Sequence, residues 1–147
     1  MKKLFFASFM LLTLGLAASP VKDDLNVDPR VLSAFQKEFS FVKDAIWSTS
    51  GDVSQVRFSF NEQGFIAWYN SDAQLISTAR NLLYMQLPLA VIKSLEEKYS
   101  QADFTSILEV TSNSETKYQI QAEEKKKIFS LEATPSGYIT VVKKIKK

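Results

Sequence analysis

The sequence predicts an α+β protein: two tandem helix-plus-antiparallel-strand repeats forming one sheet, with the helices on one face. Three observations lead there. Two amphipathic helical stretches match each other position by position, each is followed by residues alternating with period two, and the two sets lie a constant 60 residues apart. The reading divides the chain into residues 1–19, removed on export, and a single domain over 20–147, with repeat one at about 28–80 and repeat two at about 87–147.

The first nineteen residues come first in the argument because they leave. Met1-Lys2-Lys3 is a short cationic start, and an apolar run follows from Leu4 to Leu16. Small residues Ala17, Ala18 and Ser19 precede Pro20. This is the layout of a secretory signal peptide, cut near Ala17–Pro20. The run is too short to cross a bilayer, which takes about 20 apolar residues. The mature chain is therefore expected in the periplasm or secreted, with no transmembrane segment. Losing Lys2 and Lys3 balances the 18 basic and 16 acidic residues of the precursor. A balanced chain has no general attraction for nucleic acid. No cysteine is present, so packing alone must hold the fold.

The first helix opens at Asp28-Pro29, a side-chain acceptor followed by a proline that needs no amide partner. Val31, Phe35 and Phe39 then recur every four residues, joined by Leu32, which makes one apolar stripe. The second opens at Leu87-Pro88, and Val91, Ile92, Leu95 and Tyr99 repeat the stripe. Period two follows each helix. Val56, Phe58 and Phe60 alternate with polar residues in one half, and Tyr118, Ile120 and Ala122 in the other. Such alternation marks strands with one buried and one wet face. Trp47, in the position of Ile107, is expected in the core.

A closing hairpin appears in both halves at an offset of 64, which places a longer turn at Glu123 to Lys127. Phe65, Ala67 and Tyr69 match Phe129, Leu131 and Ala133, apolar in both, so this register should face the helices. Ile66 and Trp68 match Ser130 and Glu132. A glutamate does not sit unpaired under a helix, so this second register should be the open face.

These stretches resemble the PepSY-like, β-lactamase-inhibitor-like family of exported bacterial proteins. The resemblance covers about Val27 to Lys143 and rests on VLSAFQKEF running into AIW, the hairpin FIAWYNSDAQL, and LPLAV opening the second helix. It implies tandem helix-plus-sheet units sharing one antiparallel sheet, and it carries over no functional residue. At Asn70 to Ala73 the chain departs from the family's usual glycine-containing turn.

Chemistry is scarce. With no histidine and no cysteine, imidazole bases, thiol nucleophiles and ordinary structural zinc sites are excluded. No metal, cofactor or catalytic residue is expected. Ser40-Phe41-Val42-Lys43 fits S-x-x-K, but that chemistry needs S-D-N and K-T-G partners. Ser71-Asp72-Ala73 matches the first only in part, and nothing fits the second. The acidic pairs Asp23-Asp24, Glu96-Glu97 and Glu123-Glu124 read as solvated surface. Lys143, Lys144, Lys146 and Lys147 close the last strand, where lysines guard an edge against pairing; contact with an anionic envelope surface is the functional alternative.

The remaining candidate is a face. Trp68, Ile66 and Arg57 fall together on the predicted open register, and Trp and Arg are the residues that dominate interface hot spots. The sequence thus points to a non-enzymatic exported module that contacts another exported or envelope protein through this face, as a binder or inhibitor. The alternatives are a carrier with an apolar pocket between helices and sheet, and an envelope hydrolase.

Overall fold

The computed structural model describes residues 26–147. The expected signal segment and its cleavage region lie outside the described residues. Helix α1 spans Pro29–Glu38, and strands β1 (Ala45–Ser50), β2 (Val53–Phe60), β3 (Gln63–Tyr69) and β4 (Leu75–Asn81) follow it. A 3-10 turn, Tyr84–Gln86, leads to helix α2 (Leu89–Tyr99). Strands β5 (Asp103–Ser112), β6 (Glu115–Glu124), β7 (Lys127–Ala133) and β8 (Ile139–Lys146) complete the chain. Among the described residues, no helix is long and apolar enough to cross a membrane.

The α+β reading built on helix-plus-strand repeats is overturned. All eight strands form one antiparallel sheet in the order β1 to β8, strand takes 52% of the described residues and helix 20%, and the fold is mostly β. The physical reason is proportion: eight strands of six to ten residues outweigh two helices of ten and eleven. Thr78 to Asn81 pair with Thr111 to Leu108, so the sheet runs on without a break across the point where the two units were expected to meet. Each helix contributes only ten or eleven residues laid over a continuous meander. The apolar stripes are conspicuous in the sequence because they are regular, not because helix dominates the fold.

Cross-strand registers fix the two faces, since directly paired residues project to the same side. Val56 pairs with Ala67, and Phe58 with Phe65; these pack under α1 with Val31, Phe35 and Tyr69. Phe65 leads through Arg80 and Glu109 to Tyr118, on the same side. Tyr118, Ile120, Ala122, Leu131 and Ala133 pack with Val91 and Leu95 of α2. Both helices therefore cover one side, and two adjacent apolar clusters fill the space beneath them.

Local features follow their chemistry. The Asp28 side chain accepts the Arg30 amide at 2.8 Å, capping α1. Trp47 packs against the first cluster, with its rings 5.2 Å from Phe35. The longer turn expected at Glu123 to Lys127 is not there. β6 and β7 turn through Lys125 and Lys126 alone, and the extra length lies in the strands, where the ten-residue β5 and β6 exceed β1 and β2. Phe60, expected in the core by its alternation with Phe58, is 41% exposed. The stripe of α1 ends on Phe58 through Phe39, at 5.0 Å, so one strand step further there is no helix left to cover it.

Candidate functional site

The helix-free side of the sheet is built from rows of directly paired residues. One row runs Ile46, Arg57, Ile66, Ala79, Val110 and Lys117 across β1 to β6. The Arg57 side chain is exposed between two isoleucines, an arrangement in which an aliphatic stem covers apolar surface while the charged head stays wet. The next row toward one end of the strands is Ser48, Gln55, Trp68 and Ser77. Trp68 is half-buried there, and its Nε1 donates to Gln55 Oε1 at 3.1 Å. Toward the other end, Asn81, Leu108, Gln119 and Glu132 form a more polar row.

A trough of about 1140 Å³ crosses this side, lined by residues from all eight strands. It contains Arg57 and Ile66 and brings them together with Ile46, whereas Trp68 stands outside it in the neighbouring row. Of the three residues singled out from sequence, two share the cavity and the third flanks it. The opposite bank carries Ile128, Lys143 and Ile145 of β7 and β8. These were missed because their partnership with β2 depends on how eight strands bring distant residues around one cavity, which no local pattern encodes.

The rim holds a second unforeseen feature. Phe41, in the loop after α1, and Phe60 pack with tilted rings, centroids 4.5 Å apart, and they are 51% and 41% exposed. Both line the trough, as does Lys43. The Ser40 to Lys43 stretch thus contributes an aromatic and a cation to this surface. The Ser71-Asp72 turn lies at the far end of the strands, between β3 and β4, so it does not converge with Ser40 and Lys43. The available signal was Phe41, an apolar residue two positions beyond the end of the helix stripe at Phe39.

Ion pairs organise the charge. Lys117 Nζ donates to Glu132 Oε1 at 2.9 Å, and the adjacent carboxylate pushes the ammonium pKa up. Lys147 holds Glu123 in the same way. On the helix side, Arg80 bonds Glu109 at 2.6 Å, which raises the guanidinium pKa. The C-terminal lysines are exposed on β8 and its end: Lys143 lines the trough, Lys144 lies over the Phe129 ring at 5.4 Å, Lys146 pairs across the ladder with Lys127, and Lys147 is bonded to Glu123. Among the described residues, no group of three or more carboxylates converges as a metal site would require.

No protein-family model matches the sequence, and no curated protein matches it. Solved structures share its fold. A BLIP-like protein from Bacteroides fragilis NCTC 9343 superposes with a TM-score of 0.71 at 18% identity, covering 86% of this chain and 94% of that one. A DUF2874 family protein from Bacteroides ovatus ATCC 8483 gives 0.72 at 19%, covering 82% and 89%. A candidate periplasmic protein from Bacteroides eggerthii DSM 20697 gives 0.74 at 17%, covering 82% and 88%. The first of these agrees, at the level of fold, with the inhibitor-like resemblance read from the sequence.

Proposed function

We propose that the chain is an exported, non-enzymatic module, acting as one domain over residues 20–147, that docks another protein in the trough. Arg57 and Ile66 line one bank of this surface and Trp68 flanks it. The observation that carries the reading is the trough itself. It is a long concavity on the uncovered side of the sheet, in which exposed apolar side chains interleave with charges, as at the core and rim of a protein interface. Its volume exceeds the range of about 300–1,000 Å³ usual for small-molecule pockets. Fold likeness to a BLIP-like protein and to a candidate periplasmic protein supports both binding and export. So does the signal-like start of the precursor, cut near Ala17–Pro20 in the direction of the periplasm or beyond. The carrier alternative calls for space between helices and sheet, and there the two apolar clusters are packed.

The test begins with the partner captured from envelope extracts by the mature chain and purified. In titration calorimetry, Arg57→Ala and Ile66→Ala should each weaken binding by about 2 kcal/mol, the hot-spot range. Trp68→Ala should weaken it less. All three should retain the wild-type unfolding midpoint, since none lies in either cluster. Undiminished binding by both trough variants would remove the trough from the interface.

A further inference from the structure

We infer that the segment docking in the trough is acidic: a stretch of partner protein presenting at least two carboxylates beside apolar side chains. This rests on the docking reading above and adds the chemistry of what docks. The charged residues lining the trough are Lys43, Arg57 and Lys143 against Asp44, Glu123 and Glu132. Glu132 is already bonded to Lys117, and Glu123 to Lys147, so two of the three carboxylates are neutralised by lysines from outside the lining. Among the described residues, neither Lys43, Arg57 nor Lys143 takes part in an ion pair. The cavity therefore holds an excess of uncommitted cations inside a chain whose acids and bases otherwise nearly balance.

Placement sharpens the chemistry. Arg57 and Lys43 stand on the bank formed by β2 and the residues just before β1, and Lys143 stands on the β8 bank, so one carboxylate cannot be assumed to meet both sides. Arg57 projects between Ile46 and Ile66, where a docked partner would exclude water. A carboxylate can meet a guanidinium through two parallel hydrogen bonds, and such bonds strengthen as water leaves. Exposed Phe41, Phe60 and Ile46 on one side, with Val142 and Ile145 on the other, supply apolar surface for the rest of the segment. An arginine buried by a basic or neutral partner would lose hydration with nothing in return, and the trough discriminates on that account.

Three synthetic peptides of about fifteen residues test this, sharing one apolar framework and carrying Asp/Glu, Asn/Gln or Lys at the polar positions. Binding to the mature protein is followed by titration calorimetry at low and high salt and mapped by amide chemical shifts. The acidic peptide should bind about tenfold tighter than its amide counterpart, shift the amides of Arg57, Ile66 and Lys143, and weaken with salt. The R57Q/K143Q pair should reduce it to the level of the amide peptide, while R57K/K143R, which keeps the charges, retains most of the binding. Equal affinity for the acidic and amide peptides, both mapping to the trough, would overturn the acidic assignment and leave docking standing. Shifts confined to the helix side for all three would overturn both.

Discussion

Under α1 the interior is dominated by rings, and under α2 mostly by branched chains. Phe35 lies within 5.3 Å of Phe39, Trp47 and Phe58, and Phe58 stacks on Phe65 at 5.5 Å. Beneath α2 stand Leu95, Ile107, Ile120 and Leu131 with the Tyr118 ring among them, and two ring pairs, Tyr84 with Phe104 and Tyr99 with Phe129, lie at the margin. Either filling serves because a core asks for volume and complementary shape more than for particular residues. The difference shows outside the core. The ring series does not stop where α1 stops; it runs out through Phe39, Phe41 and Phe60 onto the rim of the trough. The second half contributes a single lysine, two glutamates, glutamines and smaller apolar groups to the far bank. The two halves thus give the candidate site two unlike sides.

The largest expected effect comes from emptying each core at its centre. Phe35→Ala should cost about 3–5 kcal/mol, and Leu95→Ala about 2–5 kcal/mol, by lost burial plus the cavity left behind. Rings add about 0.5–1.5 kcal/mol per well-placed pair beyond their area, which should place Phe35→Ala above Leu95→Ala. Urea unfolding of both variants checks it. A reversed order would mean that the ring cluster is the looser of the two, and the contrast between the halves would then say nothing about rigidity.

A second contrast lies in the turns that close each half. Thr134 to Tyr138 and Asn70 to Gln74 make the same backbone bonds: Gly137 N to Thr134 O and Ala73 N to Asn70 O, then Thr134 N to Tyr138 O and Asn70 N to Gln74 O. Both turns place their fourth residue at positive φ, 88° for Gly137 and 59° for Ala73. Only Gly137 also lies against α2, where an added Cβ would stand 2.5 Å from the Ala90 carbonyl oxygen. Gly137→Ala should therefore cost about 2 kcal/mol or more, with about 1–2 kcal/mol from the left-handed backbone alone. A cost below 1 kcal/mol would show that α2 shifts to make room.

Each half also ties its helix down with a tyrosine. The Tyr69 hydroxyl donates to Glu38 on α1 at 2.9 Å, and that of Tyr84 to Glu96 on α2 at 2.7 Å. Tyr69 is fully buried, whereas Tyr84 is only partly so. Tyr69→Phe should cost about 1–2 kcal/mol and Tyr84→Phe about 0.5 kcal/mol. Burial first, and the glutamate second, push both hydroxyl pKa values up, that of Tyr84 to about 12 from the ordinary 10.0. A folded pKa above the unfolded one means the stabilisation is complete below pH 10 and is lost as pH climbs through the folded value. Alkaline unfolding should begin above pH 10, and the double Phe variant should lose part of that pH dependence, the rest coming from Tyr99 and Tyr118, whose hydroxyls burial also pushes up. A double variant as alkali-sensitive as the wild type would trace the effect to other groups.

Much of this was readable before any coordinates. The Asp28 cap, the stripes of α1 and α2, the two strand registers, and the joint placement of Arg57 and Ile66 on the uncovered side all follow from period and capping chemistry. These are local rules, and the residues that obey them are close in sequence. The class was misjudged because a helix stripe is a strong signal at any length, while the four strands that follow each helix announce themselves only through short runs of alternation. Phe60 was misplaced because alternation gives the face of a strand and not the extent of the helix above it. The far bank of the trough was invisible for a related reason: Lys143 and Ile145 meet Arg57 across a cavity, six strands away along the sheet.

Ala73 is the smallest and most discriminating place to press the comparison of the turns. It occupies the left-handed position that glycine fills in the partner turn, and it does so with a Cβ. What holds it there is Asn70, whose Oδ1 accepts the amides of Asp72 and Gln74 at 3.0 and 2.9 Å. Thr134 offers its counterpart a single, longer bond of 3.3 Å to the Tyr138 amide. The first turn is therefore fixed by a side chain and the second by its glycine and the contact with α2. Ala73→Gly relieves the backbone cost of about 1–2 kcal/mol but frees the unfolded chain by a few tenths to about 1 kcal/mol, for a net gain of about 0.5 kcal/mol. Asn70→Ala in the wild-type background removes both bonds to the amides, along with the Nδ2 bond to Gln74 Oε1, and should cost about 1–2 kcal/mol, and in the Ala73→Gly background it should cost less. Thermal unfolding of the four proteins in this cycle reads the coupling directly. Strict additivity would show that Asn70 does not hold Ala73 in place, and the absence of a glycine at the first turn would then need another cause.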